Sequence, residues 1–193
     1  VAVKPSGKTI LTAGKLSGKG GTAKTVALDD KNFGKGQGVQ VTYADGNREL
    51  VALYPNLPFV TFRSTLRNSG GEPVVHKHVA TVSAAVDLGK SLDSIQTLGT
   101  GGLFPPDKNP GSYAFLSIVD PKSRSGVVGG WLTHDRGSGV VFSPVENGAA
   151  RIQAQIDYGC LHIKSGEEAV AETFAIGYFD DARFGLEAYA DAI

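Results

Sequence analysis

Apolar and polar residues alternate along most of this chain with a period of two, the pattern of strands that bury one face. Val39, Val41 and Tyr43 alternate with polar neighbours, an Asp45-Gly46 turn follows, and the apolar run resumes from Glu49 to Tyr54. An Asp-Gly pair between such segments predicts a hairpin. Val60, Phe62, Ser64 and Leu66 share one face, with Thr61, Arg63, Thr65 and Arg67 on the other; after Asn68-Ser69-Gly70-Gly71 a strand is expected over Val74–Val86. Ile152, Ala154, Ile156 and Tyr158 alternate with Arg151, Gln153, Gln155 and Asp157, one face for core and one for water. Further strands are predicted at Thr9–Thr12, Ala23–Leu28, Tyr113–Val119, Gly126–Leu132, Val140–Phe142 and Ala169–Tyr178. Turn residues recur between them at short intervals, which suits a sandwich or barrel rather than alternating β/α units.

Two segments break the pattern. Leu98–Ser112 holds four glycines and three prolines and reads as a long irregular loop, the kind that carries function or an interface. The C-terminus reads as a helix, capped by Asp180 or Asp181, with Leu186, Tyr189, Ala190 and Ile193 at helical spacing. That apolar face predicts a packing partner beyond the β-structure. No internal repeat is evident.

Composition narrows the functional classes. Lys plus Arg and Asp plus Glu both number 19, so the chain lacks the basic surplus of a nucleic-acid binder. No apolar run approaches the roughly 20 residues of a membrane helix. Glycine, at 26 of 193 residues, is well above its ~7% average and fits many turns. Methionine is absent, so Val1 is not expected to be the initiator, and the chain reads as processed or excised from something longer. One cysteine, Cys160, excludes an internal disulfide framework and is expected to be a buried, inert thiol.

The chemistry written into the chain is sparse. Gly89-Lys90-Ser91 lacks the upstream glycine of a phosphate-binding loop, and no nucleophile elbow or cysteine pair exists. No catalytic residue, cofactor or metal is therefore assigned. His76 and His78 project to one strand face, but no third metal ligand lies nearby in sequence. Cys160 with His162 has the residue types of a nucleophile and base without a sign of thiol activation. Trp131, His134, Asp135 and Arg136 form the most suggestive set. An aromatic face suits the C–H side of a sugar ring, and charged groups suit its hydroxyls, so these four are the candidate carbohydrate-binding residues. The plainer reading puts Trp131 in the core and Asp135–Arg136 in a solvated turn.

Tyr54-Pro55-Asn56-Leu57-Pro58-Phe59-Val60 and Arg63-Ser64-Thr65-Leu66-Arg67-Asn68-Ser69-Gly70-Gly71-Glu72-Pro73-Val74 resemble the N-terminal β-domain of family 36-like, clan D α-galactosidases. Ser165-Gly166-Glu167-Glu168, then Gly177-Tyr178-Phe179-Asp180-Asp181-Ala182-Arg183, followed by Leu186 to Ala190, look like the exit from that domain into a linking helix. The resemblance implies an all-β, two-sheet antiparallel super-sandwich, galactose-mutarotase-like, over residues 1–179. A short C-terminal helix over 180–193 would lead toward a catalytic (β/α)8 barrel. It implies a non-catalytic domain of a glycoside hydrolase, packed on that barrel through the helix. Leu98–Ser112 and Trp131–Arg136 are then the segments placed to shape a sugar pocket. An oligosaccharide is the implied small partner, with neither nucleic acid nor membrane, in a periplasmic or extracellular setting. Two rival readings remain: a free-standing carbohydrate-binding module, and a mutarotase-like enzyme with His76 and a carboxylate at a sugar anomeric centre.

Overall fold

A computed structural model describes residues 9–16 and 20–193. Among these residues, fifteen strands precede one α-helix. They are β1 (Leu11–Leu16), β2 (Gly21–Asp30), β3 (Gly34–Tyr43), β4 (Arg48–Tyr54), β5 (Leu57–Arg67), β6 (Val74–Val86), β7 (Gln96–Gly99) and β8 (Gly102–Phe104). After these come β9 (Ser112–Tyr113), β10 (Phe115–Val119), β11 (Gly126–Trp131), β12 (Ser138–Phe142), β13 (Val145–Glu146), β14 (Ala149–Ile163), β15 (Glu168–Phe179) and helix α1 (Ala182–Ala192). They form two antiparallel sheets. One has six strands, ordered β1-β6-β14-β12-β9 with β13 paired to β14; the other has nine, ordered β2-β3-β4-β5-β15-β11-β10-β7-β8. This is the expected all-β super-sandwich, and it is not a closed barrel. Among the described residues no helix is long and apolar enough to cross a membrane.

The two inner faces meet in one core, because the period-two positions deliver their apolar side chains there. Phe62, Leu116, Ile118, Val127, Trp131 and Phe174 come from the nine-stranded sheet, and Val79, Val82, Val141, Ile152 and Ile156 from the six-stranded one. Strand β14 follows the expected alternation from Ile152 onward, with Ile152, Ala154 and Ile156 buried, but Arg151, expected to face water, is buried too, its Nε donating to the Ser83 hydroxyl. The Asp45-Gly46 hairpin also forms: the Gly46 amide donates to the Tyr43 carbonyl at 3.0 Å.

Four further expectations need correction. The single strand expected over Tyr113–Val119 is two strands in different sheets. Ala114, at φ 64°, turns the chain between them; its amide donates to the Gly139 carbonyl on one sheet and its carbonyl accepts from the Trp131 amide on the other. Leu98–Ser112 is not irregular throughout. It holds β8 and one 3-10 turn, and it carries the chain from one sheet to the other. Cys160 is exposed, because β14 loses register with β6 between Asp157 and Leu161 and the thiol rides on that irregularity.

The fourth correction concerns the helix. Asp181 is its cap, accepting from the Arg183 amide. Its apolar face is already partnered within the chain, since Ala182, Leu186 and Tyr189 pack on Val128, Leu132, Ala175 and Phe59 over the outer face of the nine-stranded sheet. Ala190 and Ile193, expected on that face, are exposed.

Candidate functional site

Away from the sandwich core lies a groove of ≈ 550 Å³, within the ~300–1,000 Å³ typical of small-molecule sites. Its walls come from four distant parts of the chain. The β2–β3 turn gives Asp30, Lys31 and Asn32, β5 gives Arg63, the segment after β11 gives Thr133, Asp135 and Arg136, and β15 gives residues 168–173.

An irregularity in β15 builds the floor. Pairing with β5 shifts register between Val170 and Thr173, so the intervening residues leave the regular ladder. Such bulges re-aim side chains. Here Val170 is left 48% exposed in the groove, while Glu172 is buried. The Glu172 carboxylate accepts from the Thr133 hydroxyl (3.3 Å) and from the Arg136 amide (3.1 Å), with the Arg136 Nε 3.9 Å away. Its own amide donates to the Tyr158 hydroxyl at 3.2 Å. Burial, then the Glu172 charge, pushes the Tyr158 hydroxyl pKa up, so that hydroxyl stays protonated. The Arg136 guanidinium lies 5.9 Å from the Tyr158 ring centroid and donates to the Val170 carbonyl. One buried carboxylate thus fixes the turn that carries Asp135 and Arg136.

Removing that anchor has a defined expected cost. Glu172→Ala strips the acceptor from two donors, and a hydrogen bond to a charged group is worth ~1.5–3 kcal/mol. A loss of about 2 kcal/mol in urea denaturation is expected, with Glu172→Gln, which keeps a carbonyl acceptor, losing less.

Two further carboxylates at this face, Asp30 and Glu168, are tied to arginines. Arg63 Nη1 lies 2.8 Å from Asp30 Oδ2. Burial opposes ionisation of Asp30, but the Asn32 amide and Arg63 outweigh it and hold its pKa below the usual value. Arg48 donates to both Glu168 oxygens (2.9 and 2.6 Å) and Arg67 to one (3.0 Å). The Arg48 bonds, against a smaller burial effect and with help from Arg67, lower the Glu168 pKa.

The four candidate sugar-binding residues are not brought together. Asp135 and Arg136 line the groove. Trp131 is wholly buried, with its ring against Phe174 at 5.2 Å between centroids and its Nε1 donating to the Val140 carbonyl. His134 is exposed outside the lining set, its Nε2 donating to the Trp131 carbonyl at 3.0 Å. His78 stands opposite Asp157 and His76 opposite Leu161 across the β6–β14 pair. Among the described residues no group of three or more His, Cys, Asp or Glu side chains is placed to hold a metal. Lys31, Asn32, Arg63 and Glu172 escape a reading by motif, because they sit in three separate segments. Glu172 alone carries a signal, as a lone charge inside the apolar run from Ala169 to Ile176.

No protein-family profile matches the chain, and no curated protein sequence does. Solved structures do. An α-galactosidase of glycoside hydrolase family 36 from Geobacillus stearothermophilus, in complex with raffinose, superposes with a TM-score of 0.59 at 15% identity; the match covers 91% of this chain and 29% of that one. The α-galactosidase from Lactobacillus brevis gives 0.56 at 10% identity, covering 91% and 28%. A TPR-domain containing protein from Parabacteroides distasonis gives 0.51 at 12% identity, covering 81% and 34%. The shared feature is the fold, that of the N-terminal region of the α-galactosidases. The chain spans about a third or less of each of these structures.

Proposed function

We propose that this chain is an accessory β-domain of a family 36-like glycoside hydrolase, packing on a catalytic barrel that supplies the bond-breaking carboxylates. The observation that carries the reading is the state of the acids around the groove. A retaining glycosidase needs two carboxyls about 5 Å apart, one of them with a raised pKa so that it can donate a proton. Asp30 and Glu168 are held by arginines and shifted the opposite way, and Glu172 is spent on fixing a turn. Acids so engaged are structural, and Asp135, exposed at the rim, is left without a second groove carboxyl free to act with it. Coverage of nearly the whole chain against under a third of the α-galactosidases supports the accessory role.

The test is direct. Purified chain incubated with nitrophenyl α-galactoside is expected to release no nitrophenol above the uncatalysed rate. Turnover that copurifies with the chain and disappears in Glu172→Gln would overturn the proposal.

A further inference from the structure

The groove has a chemistry that the accessory role does not use. Asp30 with Arg63, Glu168 with Arg48 and Arg67, and Glu172 with Arg136 form its fixed, charge-paired wall. Lys31, Asn32 and Asp135 stand at its rim, where Lys31 offers donors, Asp135 two acceptor oxygens and Asn32 one of each. Between wall and rim, Val170 presents a half-exposed apolar side chain flanked by Ala169 and Ala171. An apolar floor edged by mixed donors and acceptors, with one rim cation against one rim anion, suits a neutral ligand with one C–H face and several hydroxyls. From these features we infer that the groove binds a neutral sugar, its C–H face on Val170 and its vicinal hydroxyls on Asp135 and on Lys31 with Asn32.

The inference moves the site away from the aromatic set suggested by sequence. Trp131 is out of reach, and the Tyr158 ring is covered by Arg136. Without an exposed ring to stack on, binding depends on hydrogen bonds and a small apolar contact, which places affinity in the millimolar range. Specificity follows from hydroxyl geometry, because one carboxylate can accept from two adjacent hydroxyls at once. The site does not depend on the chain's place in a larger enzyme, since all its groups lie on this chain.

Nitrogen-15 spectra of the chain, titrated with melibiose, maltose and, separately, an acidic hexapeptide, test the idea. Saturable shifts with at least one disaccharide are expected at residues 31–32, 135–136 and 169–172, unchanged by added salt. Asp135→Ala and Lys31→Ala are exposed changes that leave the remaining spectrum intact. Each is expected to weaken binding about tenfold, the loss of one charge-assisted hydrogen bond. Absence of saturable shifts with both sugars overturns the inference, as does binding that neither variant weakens. Salt-sensitive binding of the peptide alone would also overturn it, assigning the groove to a protein segment instead.

Discussion

Trp131→Ala is expected to lower the unfolding free energy by ~3–5 kcal/mol, the range for truncating a large buried aromatic. Against the ~5–15 kcal/mol that holds a typical domain together, that is a severe loss. The ring is fully enclosed, edge-on to Phe174 from one side. On the other it lies so close to Gly139 that a β-carbon there would overlap it. A cavity in such a place cannot collapse easily, since both neighbours belong to sheets fixed by ladders on either side. Urea unfolding should show a lower midpoint at unchanged slope. Trp131→Phe, which keeps part of the volume, should lose less and remain folded for measurement. As the sole tryptophan, the residue also reports on itself: its emission should be blue-shifted, resist acrylamide quenching and stay constant when sugar fills the groove. A red-shifted, readily quenched emission in the folded protein would place the ring at the surface and restore it as a ligand contact.

The same residue shows what a chain read without coordinates reveals and what it hides. Strand positions are legible because burial on one face forces a period of two, and β14 and β5 follow the alternation of their sequences. The aromatic plate next to charged residues has the residue types of a sugar site, yet Gly139, a few positions on but in the facing sheet, makes the room that takes the ring inward. Hinges are equally silent: Ala114 adopts a left-handed conformation that alanine does not advertise, so two short strands read as one. The groove was half visible. Asp135 and Arg136 stand out by residue type, but the partners of Arg136, Glu172 and Val170, sit about three dozen residues on, brought over by the pairing of β11 with β15. The helix is legible in its spacing and its neighbours are not, because an apolar face specifies burial without specifying what buries it.

Tyr189 is where that helix is fastened, and its replacement is the second large effect. Its ring lies against Gly130, where any β-carbon would collide with it, and meets Phe115 at 5.9 Å. Its hydroxyl donates to the Trp131 carbonyl at 2.9 Å. Tyr189→Ala removes ring and hydrogen bond together and is expected to cost ~3–5 kcal/mol. Tyr189→Phe removes only the hydroxyl, and about 1 kcal/mol is expected, because His134 still donates to the same carbonyl. The pair therefore separates docking of the helix from its polar tether. Alkaline pH supplies an independent check. Burial pushes the Tyr189 pKa up to about 12 from its ordinary 10.0. Since the phenolate forms more readily in the unfolded chain, the stabilisation is complete below the unfolded value and declines as pH rises through the interval up to the folded one. Wild-type protein should lose stability steeply across that interval, and Tyr189→Phe should lose less. Equal slopes in the two proteins would mean that the hydroxyl titrates freely, so the helix would not be seated on the sheet in solution.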